Sequence, residues 1–103
     1  MPETLSETAI RNDAIRAALP FHHEADKVLV TNGITALGED VVFEAMTKAK
    51  SFDTFTEDNN PWGDRDFGSF ELSTGDKAFW KVDDYGGHDG IRCVFTLLLA
   101  SEY

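Results

Sequence analysis

The sequence predicts an α+β domain: a four-stranded, mainly antiparallel sheet with two helices packed on one face, in the order α-β-α-β-β-β. Three observations predict it. Two stretches, Thr4 to Leu19 and Thr35 to Phe52, hold helix formers with apolar residues three or four positions apart. Lys77 to Asp83 alternates, with Ala78, Trp80 and Val82 on one side and Lys77, Phe79, Lys81 and Asp83 on the other. Ile91 to Ala100 is apolar at both parities, the pattern of a strand buried on both faces. At 103 residues the chain makes a single domain, 1–103, and a hydrophobic fraction of 42% argues against disorder.

Each element has its own signals. Thr4-Leu5-Ser6-Glu7 fits a capping box with Thr4 as N-cap, and Ile10, Ala14, Ala17 and Ala18 give the first helix one apolar face before Pro20 stops it. On adjoining turns, Asn12 or Asp13 can bond Arg16. Phe21 to Asp26 reads as a connector, Lys27 to Thr31 as a short strand around Val28-Leu29-Val30, and Asn32-Gly33 as its end. Thr35 is the expected N-cap of the second helix, with Glu39 and Asp40 early, Lys48 and Lys50 late, and a stripe of Val42, Ala45, Met46 and Ala49. Ser69 to Ser73 reads as a strand with Phe70 and Leu72 on one face, and Ser73-Thr74-Gly75-Asp76 as a hairpin turn. Trp80 is expected in the core against the second helix near Met46. The last three strands should form a meander, with the first strand joined by a parallel or split crossover.

Composition bounds the function. The net charge is −10, and Asp53 to Asp89 holds ten acids against three bases, a net of −7 in about a third of the chain. Such a field repels nucleic acid and anionic lipid and attracts a basic protein surface. Cys93 is the single cysteine and lies in an apolar run, so it reads as a buried small hydrophobe in a reducing, cytoplasmic setting. Met1 leads into Pro2-Glu3-Thr4 without a basic or apolar leader, and Val94 to Ala100 is far too short to cross a bilayer.

The stretch Asn59 to Phe70 joins the helical half to the strand half. Pro61 pushes Asn60 toward extended geometry, and Gly63 and Gly68 can take positive φ, so this is turn chemistry. Trp62, Phe67 and Phe70 are too apolar for an ordinary solvated loop. The expectation is an ordered loop with Trp62 packed on the protein and Arg65 close to Asp64, Asp66 or Asp58. The candidate binding residues are Asn60, Trp62, Asp64, Arg65 and Asp66, with Asp83, Asp84 and Asp89 from the later acidic segment.

Other chemistry is poorer. His22-His23-Glu24 lacks a metal-ligand spacing and reads as a solvated connector. Asp83, Asp84, His88 and Asp89 could suit Mg²⁺ or Mn²⁺ but match no calcium-loop pattern. No serine sits in a nucleophile elbow, and Cys93 lies inside a strand. Asp64 and Asp66, alternating on an extended segment, could share a site as paired carboxylates. No catalytic residue, metal or cofactor is assigned.

Asn12-Asp13-x-x-Arg16, the central Asn60-Pro61-Trp62-Gly63-Asp64-x-Asp66-Phe67-Gly68-x-Phe70, and the ending Leu98-Leu99-Ala100-Ser101-Glu102-Tyr103 resemble a small bacterial family, domain of unknown function 3768. The resemblance covers nearly the whole chain. The family pattern reads Asn-Asp-Pro-aromatic-Gly-Glu-His-Asp-Phe-Gly, and here Asn60, Asp64 and Arg65 stand where Asp, Glu and His are common. Losing an acid and an imidazole weakens a metal or acid–base role for the loop. The resemblance brings no activity with it; it implies a proteobacterial, often plasmid-borne accessory protein. Sequence and resemblance together lead to a small acidic binding protein. It would act as a nucleic-acid mimic on a basic, nucleic-acid-binding partner, in the manner of an antirestriction or anti-CRISPR inhibitor. The alternatives are a metal-dependent hydrolase or small-ligand enzyme using the loop carboxylates, and a toxin-neutralising partner that docks through an edge strand.

Overall fold

The structure, a computed structural model, describes residues 5–58 and 60–103. Helix α1 spans Glu7–Ala18, strand β1 Asp26–Val30, the single turn α2 Asn32–Thr35, and helix α3 Glu39–Lys50. Strands β2 (Phe67–Glu71), β3 (Lys77–Asp84) and β4 (Cys93–Leu99) follow, with short 3₁₀ turns at His88–Gly90 and Ala100–Glu102. The sheet order is β1-β4-β3-β2. β2, β3 and β4 form the expected antiparallel meander, and β1 runs parallel to β4, so the sheet is mixed and the crossover is the split kind.

β4 is central because its sequence tolerates burial on both sides: Cys93 through Leu98 are all buried. Ala78, Trp80 and Val82 of β3 join Cys93, Phe95 and Leu97 of β4 in one core with Ile15 and Leu19, Ile34, and Val41, Ala45 and Ala49. All the helices therefore cover the same face of the sheet. Burial raises the pKa of the Cys93 thiol, which keeps it an inert core side chain.

Three sequence expectations are corrected. Thr4 lies outside the described residues, and the observed N-cap of α1 is Ser6, whose Oγ accepts the Ala9 N–H at 3.0 Å. The face Ile10, Ala14, Ala17 and Ala18 is exposed; the buried face is Ala9, Asn12, Ile15 and Arg16. Two polar residues on that face hid it from a hydrophobic-periodicity reading. Thr35 ends the extra turn α2, and α3 starts after Gly38, whose carbonyl accepts the Val41 and Val42 N–H groups.

Side chains tie the elements at their ends. Glu102 accepts from Thr31 Oγ1 at 2.6 Å, Gly33 N at 3.0 Å and Leu99 N at 2.9 Å, pinning the C-terminal turn to the start of α2. Glu44 on α3 accepts from Ser73 N and Oγ and from Lys48 Nζ, fixing the β2–β3 turn to the helix. Those bonds, Lys48's first, lower the Glu44 pKa from 4.5 to about 2. A depressed carboxylate pKa stabilises the fold fully above its unfolded value and loses that effect as pH falls through the folded one. In urea titrations between pH 5 and pH 2, the wild-type midpoint should therefore fall more than that of Glu44→Gln. Parallel curves would contradict the link.

Candidate functional site around Trp62

The site is built from the buried polar face of α1. Asn12 is fully buried and Arg16 is 5% exposed. Burying a guanidinium is costly unless its donors and charge are matched. Arg16 Nη1 donates to the carbonyls of Ala49 (3.1 Å) and Phe52 (2.7 Å), capping the C-terminal end of α3, where helix carbonyls lack partners. Its Nη2 donates to Asp13 Oδ1 at 2.8 Å, and its guanidinium carbon lies 4.7 Å from the Trp80 ring centroid and 5.3 Å from that of Phe55. Arg16 Nε has no hydrogen-bond partner among the described residues.

Asp13 turns its second oxygen to the central stretch, where Oδ2 accepts Arg65 Nη1 at 2.9 Å. Arg65 lies over the other aromatic contact of this group, 4.6 Å from the Phe55 centroid. One carboxylate thus holds two guanidiniums, and both pack on Phe55. Asn12 Nδ2 donates to the Asp64 carbonyl at 3.0 Å, while Asn12 Oδ1 accepts from Arg11, which in turn pairs with Asp84 at 2.7 Å. The Arg11 hydrogen bond, with the Gly86 N–H behind it, holds the Asp84 carboxyl below the usual range.

Within the loop, Asn60 is the organiser. Its Oδ1 accepts the Arg65 N–H at 2.8 Å and its carbonyl accepts the Gly63 N–H at 3.1 Å. Gly63 takes φ 71° and Arg65 φ 51°. The second value is uncommon for a side-chain-bearing residue, and it persists because Asn60, Asp13 and Phe55 all hold Arg65. The result is a fixed turn that displays Trp62, 86% exposed, beside a polar cleft of about 450 Å³ lined in part by Glu57, Asn60 and Arg65.

The predicted site residues therefore fall into groups. Asn60, Asp64, Arg65 and Asp84 are brought together through Arg11, Asn12 and Asp13. Trp62 does not pack on the protein as expected; it faces solvent. The carboxylate paired with Arg65 is Asp13, fifty-two positions away, rather than Asp58, Asp64 or Asp66. The left-handed backbone at Arg65 breaks the extended geometry that would have turned Asp64 and Asp66 the same way. Asp66 is exposed, and its backbone carbonyl accepts the Val82 N–H. Asp83 pairs with Lys81 at 3.2 Å, and Asp89 stands exposed in a 3₁₀ turn. Among the described residues no three His, Cys, Asp or Glu side chains gather as a metal site, so Asp83, Asp84, His88 and Asp89 do not form the cluster their spacing allowed. His22 and His23 are exposed and engaged locally, His23 Nδ1 accepting the Ala25 N–H.

Sequence reasoning missed Arg11 and Phe55 as parts of the site, and missed the pairing of Asp26 with Arg92 at 2.6 Å elsewhere. The available signal was Asn12-Asp13-x-x-Arg16 at helical spacing. Because both partners of the Arg65–Asp13 pair keep about 30% of their side-chain surface exposed, Arg65→Ala should cost about 1 kcal/mol, from a partly screened ion pair and a cation–π contact. Equilibrium urea unfolding checks it, and a loss above about 3 kcal/mol would mean that the loop belongs to the core.

Fold and site define an acidic α+β domain whose first helix is hydrogen-bonded to a loop with a solvent-facing tryptophan. The family described as Protein of unknown function (DUF3768) matches residues 30–93, more than half of the chain and including the loop, and the chain belongs to that family. No curated protein and no solved structure matches it. Among the described residues no helix is long and apolar enough to cross a membrane.

Proposed function

We propose that this is a non-catalytic binding protein that docks its acidic span, with Trp62 as anchor, onto a basic, nucleic-acid-binding protein as a nucleic-acid mimic. The carrying observation is how charge is segregated. Six of the nine cationic side chains, Arg11, Arg16, Lys48, Arg65, Lys81 and Arg92, sit in intramolecular ion pairs. In the span Asp53–Asp89 only Asp83 and Asp84 are paired; the other eight acids form no ion pair among the described residues. The surplus of negative charge is therefore left on the surface.

Trp62 adds shape to the charge. Proteins that bind single strands combine a basic groove with aromatic platforms on which bases stack. An exposed indole that shares a cleft with Glu57, in a segment that also carries the exposed Asp58 and Asp66, offers such a groove a flat ring and negative charge. Exposed tryptophans are also frequent anchors of protein interfaces. Inhibition of a restriction or CRISPR nuclease is one biological form this activity would take.

The test is displacement of a fluorescent oligonucleotide from a panel of purified basic nucleases and single-strand-binding proteins. The expected result is displacement that weakens about tenfold or more from low to moderate salt, with no binding of the oligonucleotide by this protein itself. Release that ignores salt and survives Glu57→Gln/Asp58→Asn/Asp66→Asn would overturn the mimic reading, as would no release from any panel member.

A further inference from the structure

Helix α3 is apolar on two sides. Val41, Ala45 and Ala49 face the core. A flanking stripe, Glu39, Val42, Phe43, Met46, Thr47 and Lys50, lines an open cavity of about 560 Å³ beside Leu19 and Pro20; Val42 and Met46 also pack partly against the core. The stripe's spacing of three, one, three, one and three residues is that of a helix seam made for another helix. Phe43 is 75% exposed within it, and Phe21, which follows Pro20 in the chain, is 78% exposed. Val42 and Met46 keep an outer edge beside the exposed Phe43, and that apolar rim calls for an occupant.

We infer that the occupant is a second copy of this chain, with α3 packed antiparallel on its symmetry mate. The order of charges along the stripe carries the inference. Glu39 stands at the first position of the seam and Lys50 at the last. A two-fold axis at the middle of the helix sets each residue against the one equidistant from the other end. Glu39 then meets Lys50 of the second copy, Val42 meets Thr47, and Phe43 meets Met46, a ring-to-thioether contact. The seam is self-complementary, as a two-fold interface must be. A parallel arrangement would instead bring like charges together.

The rest of the surface agrees with this choice of face. Association of two chains of net charge −10 is opposed wherever the surplus acids lie, but none of the residues from Asp53 to Asp89 lines this cavity, whose one acid and one base balance. Lys50 Nζ donates to the Leu19 carbonyl at 3.2 Å, which holds the ammonium at the rim. Glu39 has no ion-pair partner among the described residues and is available to a second chain. The seam leaves Trp62 and the loop carboxylates open.

Sedimentation equilibrium from about 1 to 200 μM tests the inference. The wild type should dimerise over that range. Phe43→Glu should shift it to monomer with an unchanged circular dichroism spectrum, since the side chain is already exposed. Glu39→Lys should weaken the dimer at least about tenfold by setting like charges opposite each other, and Glu39→Lys/Lys50→Glu should restore it. A wild type that stays monomeric at 200 μM would overturn the proposal. So would a dimer indifferent to Phe43→Glu, or one that the charge-swapped double variant fails to restore.

Discussion

Arg16→Ala should destabilise the protein by about 3–5 kcal/mol, the range for breaking a buried ion pair by removing one partner. Three losses combine. The carbonyls of Ala49 and Phe52 lose their guanidinium donor at the end of α3, Asp13 loses one of its two arginines, and a hole opens beside Trp80 and Phe55. That is a large part of the 5–15 kcal/mol typical of a domain. Arg16→Lys keeps the charge but not the planar fork, so it should fall between wild type and alanine, and it keeps the comparison readable if the alanine variant does not fold. Urea unfolding followed by circular dichroism gives both values. A loss below about 1 kcal/mol for alanine would show that Arg16 is a passenger rather than the link between α1, α3 and the loop.

Trp80→Ala should cost about as much, 3–5 kcal/mol, for a different reason. The indole is fully buried, stacks at 15° on Phe95 at 6.1 Å, and meets Phe52 and Phe55 edge-on at 5.6 and 6.3 Å. Trp80 is buried in the core as expected, its ring partners are the aromatics after α3 and on β4, and Met46 packs against the same core. Gly68 completes the fit, since a Cβ there would run into Trp80 Nε1 and Phe52. Gly68→Ala should therefore cost about 1–3 kcal/mol in the wild type and clearly less in a Trp80→Phe background, because the collision is with the indole. Equal costs in the two backgrounds would place the strain elsewhere. Trp80→Phe also leaves Trp62 as the sole tryptophan, whose emission should change little on unfolding because it is exposed already.

The parts of the fold that were legible in the sequence obey simple periodicity. Ala78, Trp80 and Val82 alternate inward as read, and Cys93 to Leu98 is buried on both faces as its composition demands. The parts that were not legible depend on polar side chains doing apolar work. Asn12 and Arg16 occupy the buried stripe of α1 because other elements offer them carbonyls and aromatic faces, while Asp13 on α1 itself pairs with Arg16 as the helical spacing suggested. No local pattern contains those carbonyls and rings. The same holds for the site: turn chemistry around Asn60, Pro61 and Gly63 marked an ordered loop, and a carboxylate near Arg65 was foreseen. That the carboxylate is Asp13, and that Asn12 holds the Asp64 carbonyl, depends on contacts more than fifty residues apart in the chain.

Helix α1 and the loop have separable roles under the proposed function: α1 holds the loop in shape, and the loop would present Trp62 to a basic partner. Trp62→Ala in the oligonucleotide-displacement assay separates them most directly. The account predicts an unchanged urea midpoint, because an 86% exposed side chain contributes little to folding, and a loss of displacing potency of at least about tenfold, the minimum expected of an interface anchor. Full potency in a variant with the wild-type midpoint would contradict it.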